Sequence, residues 1–352
     1  MKIDQYLTSA LEKNASDLHF VSGDPVRARI HGNLQTIDTA PLTIDAVKEC
    51  MFEIMDGTTQ GSFEQQDAAD FAYEIADVSR FRVNVFRHLN GMGAIFRAIP
   101  AVALTLEQLS MPKVIHELCK QTQGMILVTG KTGSGKSTTL AAMIDAMNKR
   151  LKGHILTIED PVEFVHKAQG CLISQREIGV HSPSFAEALH SALREDPDVV
   201  LVGEMRDLET ISIAVTAAEM GILVMGTLHT NGAAPTVDRI VNSFPADKQS
   251  HIRTMISTSL RGVVSQQLLP TKHQAGRIAA LEILINTPAV ANLIRQGKLD
   301  QLETAMQSGG NIGMRTMDSA LMEHVRQGFV SGKDAYQQAN DKSKFKNVRN
   351  DE

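Results

Sequence analysis

The chain has 352 residues, enough for two or three domains, with 43% hydrophobic residues and a net charge of −5. That balance forces no basic face, and 4% aromatic residues without Trp leave little for stacking bases, so nucleic acid is not an expected partner. Cys50, Cys119 and Cys171 are far apart and form no zinc-binding pair; with no signal-peptide pattern and no long apolar run, a cytoplasmic protein is expected.

Residues 1–99 read as a small α/β domain. Ile3, Leu7, Ala10 and Leu11 share one face of a helix over 3–13. Alternating polar and apolar residues give strands at 17–21 and 26–30, turning through Gly23-Asp24-Pro25, and a third follows at 34–37. Thr43 reads as the N-cap of a helix over 43–55. Strands follow at 70–75, 80–87 and 93–99. In the last two, basic and apolar residues alternate, so Arg80 and Arg82 share a face, and Arg97 stands among apolar neighbours. Such a row is either a solvated polar face or a cationic surface offered to phosphate.

Residues 100–118 read as a linker with Pro100 and Pro112 in it, ending in a short helix from Lys113. Residues 119–285 read as the second domain. Short apolar strands at 125–129, 154–158, 199–203 and 223–227 alternate with helices, the pattern of a parallel sheet covered on both faces.

The first of these strands runs into Gly130, Lys131, Thr132, Gly133, Ser134, Gly135, Lys136, Ser137 and Thr138, which fits the phosphate-binding loop G-x-x-x-x-G-K-[ST] and leads into a helix over 137–151. Glycines let the backbone wrap with its N–H groups turned toward phosphate oxygens, and the helix start adds partial positive charge. Lys136 is placed for the β- and γ-phosphates and the Ser137 hydroxyl for Mg2+, so Mg-ATP is the expected ligand.

The other strand ends carry acids and a histidine, where open α/β sheets bind ligands. Glu159-Asp160-Pro161-Val162-Glu163 puts three carboxylates on a turn that can orient or deprotonate a water, or hold Mg2+ through water. Glu204 closes an apolar strand in the Walker B manner, serving the hydration shell of Mg2+ or acting as a base; Asp207 follows. His229, between Leu228 and Thr230, can donate to a γ-phosphate or to the acid opposite. His190, Arg194, Arg239 and Arg253 are further candidates that the sequence does not rank. Beyond 286 the pattern is helical, with helices at 288–296 and 316–326, and 340–352 reads as a charged, frayed end.

These motifs, in this order, closely resemble the secretion and pilus traffic ATPases, and within them the twitching-motility retraction branch. The resemblance extends to Ala15-Ser16-Asp17-Leu18-His19, Arg80-Phe81-Arg82, Phe96-Arg97-Ala98-Ile99-Pro100 and Phe244-Pro245, so it covers nearly the whole chain. It implies a PAS-like N-terminal domain, a RecA-like P-loop ATPase domain and a helical C-terminal region, assembled as a cytoplasmic homohexamer. It implies ATP hydrolysis with Glu163 as catalytic base, Glu204 as the Walker B glutamate, His229 as the histidine-box residue, and Arg80, Arg82 and Arg97 reaching the phosphates. The implied partners are the inner-membrane platform protein of a type IV pilus machine and a paralogous retraction ATPase. The chain departs from the family pattern at Ile222, where a histidine is frequent, at Ala291, where an arginine is usual, and at Lys131, which replaces a proline. The expected function is pilus retraction; an accessory retraction ATPase, or an extension or type II secretion ATPase, is the alternative. The latter two usually carry a longer N-terminal region and a four-cysteine zinc insertion, and this chain has neither.

Overall fold

The computed structural model describes residues 2–30, 32–76, 78–99, 103–273 and 276–349. They divide into two compact units, Met1–Val102 with Glu163–Val165, and Ala103–Val162 with His166–Glu352. Residues 100–102 of the expected linker lie outside the described residues.

The first unit opens with α1 (Lys2–Glu12), whose buried Ile3, Leu7 and Ala10 recur at helical spacing. Then come β1 (Ala15–Val21), β2 (Pro25–Ile30), β3 (Asn33–Pro41) and α2 (Ile44–Ile54). Thr43 caps α2 by accepting from the N–H of Ala46. An unexpected helix, α3 (Gly57–Gln66), follows. Its sequence has two glycines and no apolar stripe; the Asp56 cap on the N–H of Thr59 and one buried anchor, Phe63, hold it. The unit closes with β4 (Ala68–Ile75), β5 (Ser79–His88) and β6 (Gly91–Ile99). The six strands form an antiparallel sheet in the order β3-β2-β1-β6-β5-β4. On β5, Phe81, Val83 and Val85 turn into the core, which leaves Arg80 and Arg82 on the opposite face.

The second unit begins with α4 (Lys113–Leu118), β7 (Gly124–Thr129), α5 (Lys136–Arg150), β8 (His154–Glu159), β9 (Leu172–Glu177) and α6 (Phe185–Ala192). It continues through β10 (Val199–Val202), α7 (Leu208–Glu219), β11 (Leu223–Leu228), α8 (Ala233–Asn242), α9 (Gln249–Ser259), β12 (Leu260–Pro270) and β13 (Arg277–Ile285). The seven-stranded sheet has the order β13-β12-β7-β11-β10-β8-β9. Six strands run parallel. β13 pairs antiparallel with β12, so the expected all-parallel sheet carries one reversed edge, reached by a short connection that a parallel crossover could not use. Apolar side chains pack on both faces: α7, α8 and α9 cover one, α4 and α5 the other. The central strands β7 and β11 are buried at every position, which is why they read as unbroken apolar runs. β9 is a half-exposed edge with a polar sequence, and gave no such signal.

The chain ends in α10 (Pro288–Gln296), α11 (Leu302–Ser308), α12 (Met317–Arg326) and α13 (Gly332–Gln338). The frayed tail expected from 340 onward is corrected by the structure as far as residue 349. Phe345 is fully buried with Leu321, Val330 and Ala335. The buried Asp318 accepts the backbone N–H groups of Asn340 and Asp341 at 2.8 and 3.0 Å. One aromatic plug and one distant acceptor anchor a segment that has no apolar period of its own. Residues 350–352 lie outside the described residues. Among the described residues, no helix is long and apolar enough to cross a membrane.

Replacing the plug tests this anchoring. Phe345→Ala is expected to lower stability by about 3 kcal/mol, seen as a drop in the urea midpoint, because a buried ring is removed and its cavity remains.

Candidate active site

The loop between β7 and α5 is shaped by three glycines with positive φ, Gly130, Gly133 and Gly135. At Gly130 a Cβ would sit 2.3 Å from the carbonyl oxygen of Gln266, so only glycine permits this approach of the loop to β12. At Gly135 a Cβ would meet Gln266 Nε2 at 2.7 Å. Gln266 is buried, and its Oε1 accepts the Thr139 hydroxyl at 2.7 Å, which pins the first turn of α5 to the sheet. Lys136 Nζ donates to the carbonyls of Gly130 and Lys131 at 2.9 and 3.2 Å, spanning the loop. Ser134 is buried and its hydroxyl lacks a partner among the described residues. The result is a backbone cradle with a cation across it and an unsatisfied hydroxyl within it, a chemistry that accepts anionic oxygen.

Strand register brings the polar ends level with this loop. Val202 of β10 pairs with Gly226 of β11 on one side and Ile158 of β8 on the other, and Thr129 of β7 pairs with Leu228 of β11. Glu204, just past β10, meets His229, just past β11: its Oε1 lies 2.6 Å from His229 Nε2 and 2.6 Å from Arg206 Nε. Burial acts to raise the Glu204 carboxyl, but the Arg206 hydrogen bond and the charges of His229 and Arg206 outweigh it and hold it below the usual carboxylate range. Glu204 therefore stands as a fixed anion. The sequence pointed to His229 and Glu204 but not to Arg206, whose place four residues past the end of β10 is set only by the turn into α7. Asp207 caps that helix, accepting from the N–H and the hydroxyl of Thr210 at 2.7 and 2.8 Å.

The three acids after β8 are not equivalent. Glu159 is buried and accepts from the Thr157 hydroxyl at 2.7 Å and from Gln175 at 3.3 Å, which removes it from the exposed acid cluster the sequence suggested. Asp160 and Glu163 are exposed. The Val162 N–H donates to Glu177 at 3.1 Å and steadies the turn immediately before Glu163. The hydroxyls of Ser137 and Thr138 at the start of α5 have no partner among the described residues.

Arg80, Arg82 and Arg97 lie in the sheet of the first unit. Arg82 stands opposite Arg97 across β5 and β6, and Arg97 opposite Asp17 across β6 and β1. Arg97 Nε lies 2.9 Å from Asp17, and Arg82 Nε 3.9 Å from Asp70. Burial acts to raise Asp17, but the Ser16 hydroxyl and Arg97 prevail and keep it low and charged. Among the remaining candidates, His190 and Arg194 line a separate groove of ≈ 840 Å³ with Arg176 and Glu195. Arg239 lies in the last turn of α8 and Arg253 on α9, beside Gly297.

Comparison with known proteins agrees with this architecture. Residues 1–347 match the model of the family "Type II/IV secretion system protein". A relative in Pseudomonas aeruginosa, "Type IV pilus retractation ATPase PilT", is 48% identical over 96% of this chain and 98% of its own length. A Neisseria gonorrhoeae "Twitching motility protein" is 48% identical over 94% of this chain and 88% of its own. A crystal structure of the pilus retraction motor PilT with bound ADP superposes with a TM-score of 0.90 and 41% identity, covering 97% of each chain. The two units thus correspond to an N-terminal domain followed by a RecA-like ATPase domain. With the cradle, the strand-end acids and a full-length family match in agreement, the chain belongs to the type II/IV secretion system ATPase family.

Proposed function

We propose that the protein is a hexameric ATPase motor that drives retraction of a type IV pilus, and so twitching motility, by removing pilin subunits at its base. It works at the cytoplasmic face of the inner membrane, against the platform protein of the pilus machine and alongside a paralogous retraction ATPase. The observation that carries this reading is the glycine cradle with Lys136 across it, set level with the Glu204–His229–Arg206 cluster, in a chain that matches retraction ATPases along nearly their full length.

The triphosphate lies in the loop of residues 130–138, where backbone N–H groups and the α5 N-terminus meet its oxygens. Lys136 moves from the loop carbonyls to the β- and γ-phosphates, and Thr138 follows Ser137 into the site. The donors suit Mg2+, a hard cation that favours the Ser137 hydroxyl, water held by Glu204 and phosphate oxygens; bound there, it neutralises charge on the phosphates. Glu163 orients a water in line with the γ-phosphorus and takes its proton. The new P–O bond forms as the bond to the β,γ-bridging oxygen breaks. Arg80, Arg82 and Arg97 of a neighbouring subunit in the ring stabilise the developing charge. His229, tied to Glu204, responds to the presence of the γ-phosphate, and its loss loosens the closed state and advances the ring.

Two substitutions separate binding from turnover. Gly130→Ala is expected to abolish ATP binding in equilibrium dialysis while the fold survives, because the new Cβ collides with the Gln266 carbonyl and pushes the phosphate loop off β12. Glu163→Gln is expected to retain ATP binding and to cut phosphate release about 100-fold or more. Phosphate release at the normal rate from Glu163→Gln would remove Glu163 from the role of base.

A further inference from the structure

On the sheet face that α7, α8 and α9 cover, the strands change character at one line. Leu127 of β7, Val263 of β12 and Leu284 of β13 are buried in the apolar core, and two residues along each strand the same face carries Thr129, Ser265 and Glu282. Register sets these three side by side, Thr129 opposite Ser265 and Ser265 opposite Glu282, and all three are buried. A buried polar row needs partners, and the start of α8 supplies them. The residue that opens this helix, Gly232, has no side chain to cap it with. Instead the Gly232 N–H donates to the Ser265 hydroxyl and the Ala233 N–H to Glu282, each at 2.8 Å, which satisfies donors that a helix start leaves open. Thr129 meets the helix through Thr236, whose hydroxyl stands 3.4 Å from its own.

The Thr236 hydroxyl has one hydrogen to give. The Gly232 carbonyl, at 2.6 Å, can only accept and takes it. Thr230, whose hydroxyl lies 2.7 Å away, then gives its own hydrogen to the Thr236 oxygen. Thr230 directly follows His229. The residue before His229 is held as well, since the Leu228 carbonyl accepts the N–H of Gly130 at 3.3 Å. His229 is therefore fixed from both sides, by the first glycine of the phosphate loop before it and by Thr236 after it.

The contact of His229 Nε2 with Glu204, at 2.6 Å, depends on where the main chain holds residue 229. A small misplacement in an active site, caused far from the reacting atoms, is enough to slow a reaction. We propose that Thr236 is a positioning residue for ATP hydrolysis. Through Thr230 it holds His229 against Glu204, and it ties that pair to the root of the phosphate loop at Thr129 and Gly130. The hydroxyl does this, not the methyl group, and it acts through His229 rather than on the nucleotide. This rests on the role given to His229 above and names what keeps that side chain in place.

The test measures kcat and KM for phosphate release from Mg-ATP on the full chain. Thr236→Val keeps the shape and removes the hydroxyl. The Gly232 carbonyl still accepts the backbone N–H of position 236, at 3.2 Å, so α8 keeps its first turn. This variant is expected to lower kcat about 10-fold, the scale of one lost hydrogen bond, and to change KM less than about 2-fold. Thr236→Ser keeps the hydroxyl and is expected to recover most of the lost kcat. Thr230→Val removes the other member of the pair and is expected to match Thr236→Val. In a His229→Ala background, itself expected to be slow, Thr236→Val is expected to lower kcat no further, because the side chain it positions is gone. Parental kcat in both Thr→Val variants, or the same loss with and without His229, overturns the positioning role while that of His229 stands. Parental kcat in His229→Ala overturns the reading of His229 itself, and the positioning role with it.

Discussion

Parallel pairing makes four neighbouring strands end at one level, and the site depends on that constraint. β7, β11, β10 and β8 lie side by side in register, so the residues that follow them emerge along one edge: the phosphate loop, His229, Glu204 and the acidic turn. No local sequence could place Glu204 against His229, since 25 positions and a whole helix separate their numbers; the sheet does it. Once there, a carboxylate facing both an imidazole and a guanidinium is held ionised despite partial burial. Fixed charges of this kind need no reorganisation when phosphate charge changes, which is where such sites gain their rate.

The level edge is supported from the β12–β13 side. Gln266 ties β12 to α5 and leaves room for only hydrogen at Gly130 and little more at Gly135. Glu282 on β13 accepts the N–H of Ala233 at 2.8 Å and that of Met317 at 3.1 Å, so one buried carboxylate tethers the starts of α8 and α12. Burial pushes its carboxyl upward, against those two N–H groups. Through α8 this tether touches the loop after His229, and through α12 it reaches Asp318, which holds the N–H groups of Asn340 and Asp341. The C-terminal helices are therefore tied into the same frame as the loop after His229, not an appendage to it.

The apolar central strands, the phosphate loop and the polar strand ends were legible because each is local: a buried run, a fixed spacing, a residue type after a strand. Thr43 and Pro112 marked helix starts for the same reason. What escaped was set by distance. Gln266 is 127 residues from Thr139, and nothing in Ser265-Gln266-Gln267 announces a contact with the loop. Arg206 was visible as a charge but not as the partner of Glu204. Glu159 read as one of three equivalent acids, and only the fold buries it against Thr157. β9 and α3 lack a period because each buries little, and the tail is held by a single ring and a remote carboxylate. The reversal of β13 could not be read from an apolar pattern that is the same in either direction.

The central claim is that hydrolysis at this strand edge powers removal of pilin from a pilus. It is tested most directly by labelling pili in living host cells in which the chain is replaced by its Glu204→Gln variant, and following single fibres by fluorescence microscopy. The account expects fibres that extend normally, accumulate and do not shorten. Fibres that still retract at the parental speed, or cells that bear none, would contradict it.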